Sequence, residues 1–262
     1  YRPVEIHDVV QSILVEKPAV VFAPHVETSS GVLLPDDYLT QVSGAVHSYG
    51  GILVLDCIAS GAQWVDMKSI GVDVLITAPQ KGWSSTPCAA AVLLSEHAGA
   101  IASSLKSSSF SCDLNKWLFI MGEYEAGRYA YHVTMPTDGL MQFRDAIVET
   151  RKIGMEALRC AQQELGRKVR AMLNLAGFNS IAAEGFQSES VIVSHTDQAE
   201  IKNGSLFAQV GVQVAGGVPL MCGEPDGFST FRIGLFGLDK LTNIDSTVER
   251  LERAIKDVAA IV

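Results

Sequence analysis

The sequence has no apolar run near the roughly 20 residues that a helix needs to cross a bilayer. Its longest, AVVFAP (19–24) and GILVLDCIA (51–59), are the size of strands, so no membrane partner is expected. A basic surplus is also missing. Twenty Lys and Arg stand against 29 Asp and Glu, a formal net charge of -9, which speaks against nucleic acid as a partner. The five cysteines (Cys57, Cys88, Cys112, Cys160, Cys222) form no CxxC pair and no regular spacing. An odd, scattered set reads as reduced thiols in a cytoplasmic or other reducing intracellular compartment. Most are expected to be small buried hydrophobes, and no metal site is indicated. No GxGxxG follows a strand, since Gly50–Gly51 precedes one instead, which disfavours a nucleotide-binding dehydrogenase domain. No GxSxG elbow of a Ser-His-Asp hydrolase is found. The start carries no signal-peptide pattern, and a first residue Tyr1 rather than Met reads as a chain that begins after processing or inside a longer protein.

What is present is a globular composition, 48% hydrophobic and 19% charged, enough for a sizeable core in one large domain, or one large and one small. Short Val-, Ile- and Leu-rich runs alternate with helical patterns over the first half. VVQSILVEK (9–17) reads as a helix and AVVFAP as a strand. DDYLTQVSGAVHSYG (36–50) is the next helix, with Tyr38, Leu39, Val42, Ala45 and Val46 at helical spacing. Asp36 or Asp37 is its expected N-cap and Gly50–Gly51 its stop. GILVLD, VDVLITA and AAAVLLS supply three more strands. Near-continuous apolar strands separated by helices call for a sheet covered on both faces, a doubly wound α/β pattern. From residue 137 to 177 one long helix is expected, with Leu140, Phe143, Ala146, Ile147 and Ile153 on its apolar stripe. A strand at ESVIVSH, a helix over 199–210, a strand at STFRIGL and a terminal helix over 243–262 follow. The expected division is therefore 1–136 as a large domain and 137–262 as a linking helix with a smaller α+β domain.

Ligands of doubly wound sheets bind beyond the carboxyl ends of the strands. The residues just past them here are His25, Glu27, Thr28 and Ser29, then Asp56 and Ser60, then Gln80 and Lys81. Taken singly, Asp56 reads equally as a turn former, Lys81 as a solvated loop lysine, Thr28–Ser30 as a turn and His25 as a hydrogen-bonded, half-buried histidine. Taken together, they match the chemistry of a pyridoxal cofactor, which needs an amine to form a Schiff base (Lys81), a carboxylate to keep the pyridine nitrogen protonated (Asp56) and a cradle for the phosphate, with Thr28 bonding the ring oxygen or phosphate edge. Arg232 in STFRIGLFG suits bidentate capture of a carboxylate, and alone it reads as an edge-strand arginine.

The segments HVETSSGVLLP (25–35), LVLDCIASGA (53–62), GVDVLITAPQKGW (71–83), YHVTMPTDGL (131–140) and FRIGLFG (231–237) together resemble the class V branch of fold-type I pyridoxal phosphate enzymes. Within it they lie near alanine–glyoxylate and serine–pyruvate aminotransferases. Gln80 before the lysine matches the aminotransferase group, where cysteine desulfurases usually have histidine. The resemblance implies Lys81 for the Schiff base and Asp56 for the pyridine nitrogen, with Thr28, Gln80 and Ser60 around the cofactor. It implies Tyr131 and Thr134 reaching the partner's cofactor phosphate across a homodimer, and Arg232 on the substrate α-carboxylate. It further implies ping-pong transamination between a small amino acid (alanine or serine type) and a 2-oxo acid (glyoxylate or pyruvate). Two departures stand out. After the lysine the family usually has two prolines and a glycine, whereas SSTPC here keeps Pro87 and places Cys88 in the glycine position, so a different turn is expected. The resemblance also begins inside the family's pattern, so the phosphate-cradling glycine turn and the ring-stacking aromatic fall outside these 262 residues.

Other readings stay in play: a lyase or another class V reaction on the same cofactor, which needs no keto-acid acceptor, or a catalytically incomplete scaffold fragment.

Overall fold

The computed structural model describes residues 1–261. Helix α1 (Ile6–Glu16) leads into strand β1 (Val20–Pro24), then a small hairpin of β2 (Val26–Glu27) and β3 (Val32–Leu33). Helix α2 (Asp36–His47), strand β4 (Ile52–Asp56), helix α3 (Met67–Ile70) and strands β5 (Val74–Thr77) and β6 (Ala91–Leu94) complete the sheet region. The strand order is β1-β4-β5-β6. The first three strands are parallel, with Pro24 opposite Asp56 and Asp56 opposite Ile76, and β6 runs antiparallel. This is the mostly parallel sheet expected from the apolar runs.

Helices α1 and α2 pack on the side of the sheet that carries Leu53 and Leu55, with Ile13, Leu39, Val42 and Val46 in the same cluster. Each such fully buried aliphatic side chain contributes roughly 1.5–3 kcal/mol. Cover on both faces is not met throughout: Phe22 on β1 is 74% exposed, and Val92 on β6 is also exposed. Both lie on the face opposite Leu53 and Leu55, where neither α1 nor α2 packs. The expected aspartate cap on α2 is corrected as well. Pro35 occupies the N-cap, and Asp36 and Asp37 sit in the first turn, where their charges oppose the positive end of the helix dipole. The helix ends at His47, ahead of Gly50.

Helices α4 (Glu96–Ser104) and α5 (Leu114–Glu125) follow, and then the segment predicted as one helix over 137–177. It is two helices, α6 (Thr137–Ile153) and α7 (Met155–Leu175), broken at Gly154 with φ 105 and ψ 128. Glycine reaches that conformation freely, whereas L side chains rarely adopt it, so a single residue turns the chain between two well-formed helices. The predicted helix over 199–210 also divides, into α8 (Ala199–Lys202) and α9 (Ser205–Gln209), at Gly204 with φ 80. Strands β7 (Val191–His195), β8 (Ala215–Gly216) and β9 (Thr230–Gly234) form a second sheet in the order β7-β9-β8, antiparallel throughout. Helix α10 (Leu238–Leu241) and helix α11 (Ile244–Ile261) close the chain. Val262, the last residue of the predicted terminal helix, lies outside the described residues.

The second sheet, α7 and α11 share a core of Leu158, Leu165, Val169, Phe207, Phe231, Ile255 and Val258, and Ala62 and Trp64 from the first half reach into it. The two halves are thus sewn together near the end of β4. Among the described residues no helix is long and apolar enough to cross a membrane.

Candidate active site

Three parallel strands ending in register bring their next residues to one rim. The His25 N–H donates to the Asp56 carbonyl at 2.9 Å and the Cys57 N–H to the Ile76 carbonyl at 2.8 Å, extending the ladder past the strand ends. With neighbouring strands about 4.8 Å apart, the turn carrying Thr28, the loop carrying Asp56 and Ser60, and the loop carrying Gln80 and Lys81 stand side by side.

The turn after β2 is held by Glu27. Its carboxylate accepts from the Ser29 N–H at 2.9 Å and the Ser29 hydroxyl at 2.7 Å, leaving Thr28 half-buried at the apex. The chain does turn at Thr28–Ser30, as the turn reading of those residues has it. His25 is buried, not half-buried, and its Nδ1 lies 2.8 Å from the Ser60 Oγ. Burial pushes its imidazole down to about 4, so it is neutral at pH 7. Cys57, beside it, is pushed up to about 12, chiefly by burial, and is an unreactive thiol.

Asp56 departs from expectation: its carboxylate is exposed in this chain, accepting from the Ile58 N–H at 2.9 Å. No ion pair among the described residues includes Asp56 or Lys81. The loop of Asp56 continues to Gly61, where two backbones cross. A Cβ on Gly82 would lie 2.3 Å from the Gly61 carbonyl oxygen, and one on Gly61 (φ 62) only 2.5 Å from the Gln162 Oε1. Only two glycines allow this crossing, which presses the Lys81–Gly82 peptide against the loop of Ser60. Buried Gln162 locks the loop, accepting from the Ala62 N–H at 3.3 Å and donating to the Glu189 carbonyl at 2.8 Å and the Leu235 carbonyl at 3.3 Å. The Ser190 hydroxyl adds a bond to the Ala59 carbonyl at 2.7 Å.

The lysine loop is fixed from its far side. The Trp83 Nε1 donates to the Thr77 Oγ1 at 3.2 Å, and its ring packs on Trp64 and Phe143. The Leu238 N–H donates to the Ser84 Oγ at 2.6 Å. Lys81 is half-buried, with its Nζ 5.1 Å from the centroid of the Phe236 ring, while Gln80 is exposed. Cys88, in the place where the family usually has glycine, is accommodated by Gly139 on α6: a Cβ there would lie 2.6 Å from the Cys88 Cβ.

Arg232 is half-buried on β9, with its Nε donating to the Gly216 carbonyl at 2.8 Å. Its two terminal nitrogens bond no other described residue. Tyr131 and Thr134 are exposed and 3.4 Å apart, hydroxyl to hydroxyl; no hydrogen bond among the described residues ties them to Thr28, Asp56 or Lys81. The strand order therefore turns the segments of Thr28, Asp56, Ser60, Gln80 and Lys81 to one rim, and Arg232 lies four residues ahead of the ring that meets Lys81. The sequence reading missed Trp83, Ser84, Gln162 and Phe236. The GW after the lysine and the FG after RIGL were signals, but nothing in them told which distant residue each would meet. The cysteine expectation is corrected too: Cys57 alone is buried, Cys88 is intermediate, and Cys112, Cys160 and Cys222 are exposed. Two open concavities lie elsewhere: one at the start of α11, and one of about 300 Å³ lined by Lys202, Glu224 and Thr230. Neither includes a rim residue.

A mostly parallel sheet with a lysine and a carboxylate on its carboxyl rim, joined to a smaller antiparallel sheet bearing an arginine, is the architecture of a fold-type I transferase. The profile of the family described as "Aminotransferase class-V" matches residues 4–225, and the chain belongs to that family. Alanine–glyoxylate aminotransferase of Oryctolagus cuniculus is 24% identical over 262 residues, covering 97% of this chain and 64% of the relative. The crystal structure of alanine–glyoxylate aminotransferase from Nostoc sp. matches with a TM-score of 0.82 at 19% identity, over 98% of this chain and 66% of that one. Ureidoglycine–glyoxylate aminotransferase from Bacillus subtilis matches at 0.80 and 19%, over 98% and 64%. At such identities the solved structures establish the fold alone. The chain spans less than two thirds of the length of curated relatives it matches, 64% and 60% for two of them.

Proposed function

We propose that the protein containing this chain is a pyridoxal phosphate-dependent aminotransferase. It would exchange an amino group between a small amino acid, of alanine or serine type, and a 2-oxo acid such as glyoxylate or pyruvate, in a ping-pong cycle. The observation that carries this reading is the strand order β1-β4-β5, which turns the segments of Thr28, Asp56 and Lys81 to one end of the sheet, with the loops after β4 and β5 held together at the Gly61–Gly82 crossing. Family membership and the printed activities of the relatives support it.

The donors present fit the ring half of the cofactor. Lys81 is an amine bound to no carboxylate, and Asp56 is a carboxylate one strand away with no ion-pair partner. When bound, the cofactor supplies an electron sink that weakens bonds at the substrate Cα. The Lys81 Nζ would hold the cofactor and, as a free amine, would take the proton from the substrate Cα. The Asp56 carboxylate keeps the pyridine nitrogen protonated. Thr28, Ser60 and Gln80 orient the ring substituents, and neutral His25 fixes the Ser60 hydroxyl. The terminal nitrogens of Arg232 hold the substrate carboxylate.

The working unit is proposed to be a homodimer, divided within each chain at residues 1–136 and 137–262. Leu118, Phe119, Met121 and Tyr124 on α5 are exposed, as are Tyr129 and Tyr131 beyond it. So large an apolar display supports an interface at this place, and Tyr131 and Thr134 beside it are the residues proposed to meet a second copy's cofactor phosphate.

The full-length protein mixed with pyridoxal phosphate should develop a visible absorbance band that alanine bleaches and glyoxylate restores. Lys81→Ala should lack the band. A protein that consumes an amino acid with no 2-oxo acid acceptor would be a lyase instead, and one that develops no band at all would remove the enzyme reading.

A further inference from the structure

Phe236 has no part in the roles given above, yet it touches the group on which they depend. Its ring lies 5.1 Å from the Lys81 Nζ, inside the range in which an aromatic face attracts an ammonium. The ring's position is built rather than incidental. It folds back over Gly234, where a Cβ would sit 3.1 Å from its Cε2, so that glycine keeps the space open. It also packs against the cluster of Val26, Ala59, Val191 and Val193, in which β2, the loop after β4 and the second sheet meet. Phe236 continues the strand that carries Arg232, so the arginine and the lysine contact belong to one backbone segment.

We propose that Phe236 is a positioning residue for Lys81, its ring face holding the Nζ as an ammonium beside the rim until the amine is needed. No carboxylate does this work, since no ion pair among the described residues includes Lys81, so the ring quadrupole supplies the attraction a counter-ion would otherwise give. An aromatic holder leaves the amine free to exchange charge for a bond without stranding a buried anion. The consequence for catalysis rests on Lys81 being the cofactor-bearing residue, whereas the contact itself does not.

Two substitutions separate the ring face from its bulk. Phe236→Leu keeps apolar volume and loses the face, and Phe236→Tyr keeps the face. Trace acetylation of the cofactor-free full-length protein, read by mass spectrometry at Lys81 against exposed Lys106, reports how freely the amine reacts. Phe236→Leu is expected to raise Lys81 labelling about 2- to 5-fold, the ratio that an exposed cation–π contact supplies, while Phe236→Tyr matches the wild type. Equal labelling in all three proteins, or a Tyr variant that behaves like the Leu variant, overturns the proposal. Adding pyridoxal phosphate and then borohydride tests the consequence, and the Leu variant should form the Lys81 adduct faster by a similar factor. If the wild type forms no such adduct, the cofactor reading fails while the labelling result still decides the contact.

Discussion

The two ends of the parallel sheet treat an aspartate in opposite ways. At the amino end of β5, Asp73 is only 4% exposed. Its Oδ2 accepts from the Leu53 N–H at 2.9 Å and lies 2.7 Å from the His47 Nε2, and its Oδ1 accepts from the Ser95 hydroxyl at 3.2 Å. Every oxygen is engaged, and three elements are tied to one carboxylate. At the carboxyl end of β4, Asp56 is exposed and accepts from one backbone N–H. The first arrangement satisfies buried polar groups, which are costly when left unpaired. The second leaves bonding capacity for something that is not protein. An acid in a strand-end loop is therefore informative only once its partners are known.

That contrast can be broken in several ways. The largest effect is expected from Asp56→Asn, which should lower transamination by the full-length protein by about 10²- to 10⁴-fold, the range for a lost proton-holding group. It should leave the free energy of unfolding in urea titrations within about 0.5 kcal/mol of wild type. Asp73→Ala should do the reverse, lowering stability by about 2–4 kcal/mol through the donors it strands while activity per folded molecule persists.

His25 sharpens the same comparison by pH. Its folded-state value of about 4 lies below the unfolded one near 6.5. Between those values the unfolded chain binds more protons, so stability declines as pH falls through 6.5 and stops declining below 4. The His25 contribution should approach about 3 kcal/mol, and urea titrations of His25→Gln should show a flatter slope across that window. The smallest effect is in labelling rates: iodoacetamide at pH 8 should modify Cys112, Cys160 and Cys222 while sparing Cys57, whose thiol stays protonated.

Much of this was legible in the residues. Apolar runs gave the strands, and the strand-end rule gave Asp56, Ser60, Gln80 and Lys81 their shared rim before any contact was known. What was not legible depended on distant partners or on single-residue backbone geometry. The break at Gly154 was missed because few other breakers stand in the stretch, and an isolated glycine is often tolerated in a helix. Asp36 looked like a cap because aspartate often is one, yet Pro35 holds that place. The exposure of Asp56 and of three cysteines depends on how the surrounding elements pack, which no local pattern encodes. Phe236 meets Lys81 from 155 residues away, and only the folded second sheet brings it there.

The central claim is that Lys81, and no other lysine, bonds the cofactor. Full-length protein should be incubated with pyridoxal phosphate, reduced with borohydride, digested and mapped by mass spectrometry. The expected result is one phosphopyridoxyl group per chain, on the peptide containing Lys81. Stoichiometric label on a different lysine, or none above the level of exposed Lys106, would contradict it.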